Sequence, residues 1–153
     1  MKLILSLLLL VTMSANATGV VPTTAIRTTS VYSICSTKTD TIRNVSAATK
    51  KLVYAKAGVL QANASKYCNL PIPFEVDHIV ALWDGGSNDI TNLQLQSYCT
   101  LAQLTKGKDG KPIYKGLYDA HAKDAFEMQI HKQICDAKIT PAQGAQQLYN
   151  WKN

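Results

Sequence analysis

Residues 71–94 constrain the fold of this chain more than any other stretch. Pro71 and Pro73 rule out a helix immediately before Phe74. The residues that follow then alternate as a strand does. Phe74, Val76, His78 and Val80 share one face, and Glu75, Asp77, Ile79 and Ala81 share the other. Asp84 to Asn88 holds Gly85-Gly86 and is loop by composition, and a second strand is expected after Asn92. A β-hairpin is therefore predicted, with an adjacent Asp77-His78 pair on its first strand. The pair has usable chemistry. A carboxylate can hold a divalent cation, an imidazole can deprotonate water near neutral pH, and a nearby amide can orient that imidazole. Most Asp-His dipeptides are ordinary surface pairs, so the weight rests on their spacing to the glycines and to Asn92.

The rest of the chain supplies helices. Ser46 is a good N-cap for a helix through Lys50, Leu52, Val53 and Ala57, with Gly58 placed to stop it. Residues 99–105 could begin another, but Gly107, Gly110 and Pro112 make 106–115 a loop. A helix is expected over roughly 118–136, with Phe126, Ile130 and Ile134 on one side. Thr140-Pro141 reads as an N-cap followed by proline at the first helical position, so a last helix should run to about Tyr149. Residues 18–32 are rich in Thr, Ser and Val and read as an extended lead-in. One α+β domain over 33–153 is the expectation.

Residues 1–17 read as a secretory signal peptide. Lys2 is the charged region, Leu3 to Val11 the apolar region, and Ala15-Asn16-Ala17 the cleavage site. The apolar run is roughly half of the ~20 residues that a spanning helix needs. The residue directly after the cleavage site is Thr18 and not a cysteine, which argues against a lipoprotein. A secreted or periplasmic protein without stable membrane association is expected after cleavage, with a monomer as the default state. Cleavage removes Lys2 and no acid, so the formal net charge of +6 falls by one unit. A moderately basic balance fits a polyanionic partner such as nucleic acid, and would equally suit an acidic surface.

Cys35, Cys68, Cys99 and Cys135 all lie in the exported part. An even count in an oxidising compartment favours two disulfides. The alternative, a structural zinc, needs closely spaced ligand pairs, and no two of these cysteines lie closer than 31 residues. Cys68 precedes the first strand and Cys99 follows the second, so both belong at the open end of the hairpin. The expected pairs are Cys68–Cys99 and Cys35–Cys135.

The block Phe74-Glu75-Val76-Asp77-His78-Ile79-Val80-Ala81-Leu82, Gly85-Gly86-Ser87-Asn88-Asp89-Ile90 and Asn92-Leu93-Gln94 resembles the HNH (ββα-metal) endonuclease family. It is most similar to the small secreted HNH-like proteins of bacteria, and the likeness extends over about residues 33–151. The resemblance implies a hairpin-plus-helix core with flanking helices, stapled here by disulfides. It implies an endonuclease that hydrolyses phosphodiester bonds of DNA, with RNA as an alternative, leaving 5′-phosphate and 3′-hydroxyl ends. It also implies one divalent cation, Mg²⁺ first, with Mn²⁺, Ni²⁺ or Zn²⁺ as alternatives.

On this reading His78 is the general base, against the plain alternative of a structural histidine on an apolar strand face. Asp77 is the metal ligand from the strand, against a surface acid paired with a lysine. Consecutive strand residues point to opposite faces, so both can serve only near a strand end or a distortion. Asn92 holds the base or fixes the loop, against a simple turn-forming residue. In the zinc-knuckle branch of the family a second metal-binding histidine lies three residues before a helix lysine; counting back from Lys123 gives Ala120, which cannot ligate. Asp124 is therefore the first choice for a helix ligand and His121 the second. His131 is expected to be an exposed helix residue. Lys106 and Lys108 in the glycine-containing loop, and Lys123 on the helix, are candidate phosphate contacts, against solvated surface charges. No sequence-reading motif is present, so low sequence specificity is expected. The rival from another class is a nucleic-acid-binding or structural protein that keeps the scaffold without a complete metal site. An effector nuclease with a neutralising partner ranks lower, because no delivery module is visible.

Overall fold

The computed structural model describes residues 19–114 and 116–151. The expected leader 1–17 and Lys115 lie outside them. The hairpin forms as the alternation requires. Strand β1, Phe74–His78, pairs antiparallel with β2, Leu93–Ser97, in a register that sets Phe74 opposite Ser97 and His78 opposite Leu93. β1 stops at His78, so the Asp77-His78 pair sits at a strand end. That satisfies the geometric condition for both side chains to reach one cavity.

Four α-helices surround the hairpin among the described residues: α1, Val31–Ser36; α2, Ala47–Lys56; α3, Ala120–Cys135; and α4, Pro141–Tyr149. Helix α2 starts where Ser46 accepts the Thr49 N–H through its hydroxyl at 3.0 Å, and it is followed by Gly58 at φ +68°. Helix α4 carries a full capping box, with Thr140 and Gln143 each accepting the other's backbone N–H, and Pro141 in the first turn. Residues 99–105 form turns and not a helix. The N-terminal segment is more than a lead-in. It makes a 3₁₀ turn at Thr23–Ala25, bridges Ile26 to Gly86, and enters at Val31 a helix, α1, that was not among those expected.

Two apolar clusters hold these elements. One packs Val53 of α2 against Phe74, Leu93 and Leu95 of the hairpin, with Leu104 and Tyr114 from the long loop. Phe74 is the centre of an aromatic group there, 5.3 Å from Tyr67 and 4.9 Å from Tyr114 between ring centroids. The other joins Ile34 of α1, Ile130 and Ile134 of α3, and Ala145 and Leu148 of α4 to Val80 beyond β1. Both expected disulfides are present. Cys68–Cys99 closes the open end of the hairpin (Cα–Cα 6.4 Å), and Cys35–Cys135 ties α1 to the last residue of α3 (Cα–Cα 5.8 Å).

The loop between the strands is fixed from inside. Asn92, fully buried, accepts the Val80 N–H at 2.8 Å and donates to the carbonyls of Val80 and Ser87, both at 2.9 Å. Gly86 lies so close that a Cβ there would collide with the Val80 carbonyl. Its neighbour Gly85 takes φ +92°, a conformation that favours glycine.

Candidate active site

The end of β1, the turn at 82–84, the first turns of α3 and the segment 39–43 enclose a cavity of about 190 Å³. Its wall includes Arg43, Glu75, Asp77, His78, Trp83, Asp124 and Glu127. Asp77, His78 and Asp124, singled out in the sequence, are thus brought together.

His78 is 1% exposed. Its Nε2 lies 3.1 Å from Asn88 Oδ1. The orientation of the Asn88 amide is set by two other bonds: its Nδ2 donates to the Ile42 carbonyl at 2.7 Å, and its Oδ1 also accepts the Asn44 N–H at 3.3 Å. An oxygen facing Nε2 assigns the proton to Nε2, which leaves a lone pair on Nδ1. Nδ1 is buried and has no hydrogen-bond partner among the described residues. Burial holds the imidazole below its ordinary pKa, and the charges of Arg43 and Lys123 add to that, against opposing contributions from Asn88 and Asp77. The result is a neutral imidazole with a free basic nitrogen.

Asp77 is held by a group that reading the sequence placed elsewhere. Lys123 is 1% exposed. Its ammonium donates to Asp77 Oδ2 at 2.6 Å, to the His78 carbonyl at 2.8 Å, and to Glu127 Oε1. All three donors are used, so Lys123 is neither a phosphate contact nor a solvated charge. Burial alone would lower its pKa; Asp77 and Glu127 outweigh that and hold it above the usual lysine value. One cation shared by two acids leaves an excess negative charge. Accordingly burial keeps the Glu127 carboxyl above the usual range against the pull of Lys123, with Asp77 adding to the rise. Glu75 is likewise raised, first by burial and then by Asp77 and Asp124, while the Tyr98 hydroxyl donates to its Oε2 at 2.6 Å.

Position separates the remaining candidates. His121 does not line the cavity. Its side chain is 81% exposed, 3.8 Å from Asp124 and tilted against the Tyr98 ring, outside the wall that Asp77 and Asp124 share. Asn92 takes the loop-fixing role, one of the two expected of it, and makes no side-chain hydrogen bond to His78 among the described residues; the amide bonded to the imidazole is that of Asn88. Lys106 and Lys108 are exposed and outside the cavity wall, and Lys106 bends back to the Leu101 carbonyl at 3.0 Å. His131 is not a free surface residue. It stacks on Trp83 with centroids 5.5 Å apart, and its Nδ1 lies 2.9 Å from Asp84 Oδ1. Burial pushes that Asp84 carboxyl up to about 7.

Asn88, Lys123 and Glu127 carried a weak signal in the sequence. The inward face of α3 is Ala120, Lys123, Glu127, Ile130 and Ile134, a 3-4-3-4 spacing in which the lysine and glutamate occupy core positions.

Among the described residues no three His, Cys, Asp or Glu side chains form a ready-made metal cage. The donor chemistry nonetheless fits a hard divalent ion that keeps most of its water and takes only one or two carboxylates. Lys123 occupies one oxygen of Asp77 and leaves the other without a partner among the described residues. Asp124 and Glu75 face the same space.

An antiparallel hairpin with Asp-His at the end of its first strand, packed on a following helix, defines a ββα core. Residues 66–97, which contain both strands and their loop, match the HNH endonuclease family. Nuclease-type chemistry on nucleic acid is the general property of that family. No curated protein and no solved structure matches the chain.

Proposed function

We propose that this chain is an exported, metal-dependent endonuclease that hydrolyses phosphodiester bonds of DNA, and of RNA as a second substrate, with low sequence specificity. One observation carries the reading: His78, buried and neutral, lines a carboxylate-walled cavity, and its Nδ1 has no hydrogen-bond partner among the described residues while Asn88 fixes its tautomer. His78 Nδ1 takes a proton from a water molecule, whose oxygen attacks the phosphorus in line as the bond to the 3′ oxygen breaks. The departing oxygen takes a proton from solvent, giving a 3′-hydroxyl and a 5′-phosphate. Asp77 and Asp124 would hold the divalent ion, Mg²⁺ in the first instance, which when bound supplies neutralisation of the charge growing on the phosphoryl and 3′ oxygens. Lys123 keeps Asp77 in place from behind. Export is supported by the two disulfides. No helix among the described residues is long and apolar enough to cross a membrane.

A second reading, a nucleic-acid-binding scaffold without catalysis, is favoured by the engagement of Asp77 with Lys123 and by Ala120 on the inner face of the helix. Plasmid incubated with oxidised protein 18–153 in Mg²⁺, Mn²⁺, Ni²⁺, Zn²⁺ or EDTA separates the two. The endonuclease reading expects nicks with 5′-phosphate ends in at least one metal and none in EDTA. Retention of plasmid on the protein without cleavage in any metal supports the scaffold.

A further inference from the structure

A second cavity, about 520 Å³, adjoins the one that holds His78, and Arg43 and Glu75 belong to the walls of both. Its remaining wall has a definite chemistry. Tyr54, half-buried and backed by the core residue Phe74, supplies aromatic surface, Val45 and Val76 aliphatic surface, and Lys50 a second cation. Neither Arg43 nor Lys50 has a side-chain hydrogen bond or ion pair among the described residues. Lys123, which holds Asp77 at the catalytic cavity, is fully engaged. Arg43 and Lys50 therefore stand free beside the two cavities, with Lys50 on α2.

A mainly polar wall with one accessible tyrosine, two valines and cations suits a nucleotide: the base lies on Tyr54 and the valines, and the phosphates on the cations. The volume lies within the range of small-molecule sites. Such a wall accepts any base, in keeping with low sequence specificity.

We propose that this second cavity seats the nucleotide next to the scissile phosphate, with Arg43 between the two cavities and Lys50 on the following phosphate. The proposal rests on the endonuclease reading and adds to it the path of the strand, away from the Lys106–Lys108 loop.

The test compares Lys50→Ala with the wild type on a single-stranded oligonucleotide of about a dozen residues and on bis(p-nitrophenyl) phosphate. The small diester can fill the catalytic cavity but cannot reach Lys50. Lys132→Ala is the control, since Lys132 pairs with Asp136 on the exposed side of α3. In Lys50→Ala the KM for the oligonucleotide should rise about tenfold, the scale of a lost charge-assisted contact. The preference for the oligonucleotide over the small diester should fall by the same factor, and Lys132→Ala should keep the wild-type preference. An unchanged KM in Lys50→Ala, with the wild type cutting, overturns the subsite and leaves the endonuclease reading intact. If the small diester is cut too slowly to follow, the KM for the oligonucleotide decides alone. A wild type that cuts neither substrate removes the endonuclease reading and the subsite with it.

Discussion

His78 stays neutral chiefly because it is buried, and Nδ1 is its free nitrogen because Asn88 takes the other. Two consequences belong to single residues. The acid limb of kcat/KM should fall below the ordinary imidazole value of about 6.5, since burial, Arg43 and Lys123 all disfavour the charged form. Asn88→Asp should move that limb upward, because an anion against Nε2–H favours the imidazolium. A pH–rate profile that did not shift would deny Asn88 its orienting role. Asp84 gives the second consequence. Its carboxyl titrates at about 7 in the folded protein, against about 3.9 when unfolded, so the folded state holds the proton more tightly. Its stabilising contribution is full below about pH 4 and is lost as pH rises toward 7. Asp84→Asn has no proton to lose. Its Tm relative to wild type should therefore rise between about pH 4 and 7 and level off above; a difference independent of pH would contradict this.

At the scale of elements, α3 docks on the hairpin through an ion cluster where an apolar stripe would ordinarily serve. Lys123→Met would leave Asp77 and Glu127 facing each other at a buried contact without their cation. Breaking a buried pair in this way costs about 3–5 kcal/mol, measurable by urea denaturation, and a loss under about 1 kcal/mol would mean that the cluster is not buried in solution. The same cluster shows why this part of the site was hard to read. A lysine and a glutamate four residues apart look like a solvated helix pair, and their third partner, Asp77, lies 46 residues from Lys123. Asn88 was hidden for a related reason. It sits in a glycine-rich turn, where asparagine is common, and its role depends on Ile42, 46 residues away. The hairpin, the caps of α2 and α4, and Asp77 with His78 were legible because their signals are local: alternation, prolines, a serine or threonine cap, two glycines. Helix α1 was missed because it is six residues long, too short for a period to register.

For the whole molecule, Cys35–Cys135 matters beyond its own contacts. It anchors α1 to α3 across a separation of 100 residues, and the segment after α1 carries Arg43, the Ile42 carbonyl and the Asn44 N–H that hold Asn88. Closing a loop of this length stabilises by about 4–5 kcal/mol in the chain-entropy model. Reduction by dithiothreitol, or Cys35→Ser with Cys135→Ser, should lower both Tm and nuclease activity, and activity should fall at temperatures where the reduced protein is still folded. If Tm falls while activity at low temperature is untouched, the disulfide stabilises the fold without positioning Asn88. The hairpin disulfide, Cys68–Cys99, closes the end of the hairpin opposite His78 and should affect Tm alone.

Single-turnover cleavage of plasmid by His78→Ala, beside the wild type in the most active metal, tests the central claim most directly. Loss of a general base should slow the chemical step by about 10²–10⁴-fold, with circular dichroism showing an intact fold. Cleavage by His78→Ala within about twofold of the wild type would contradict the assignment of His78 as the base.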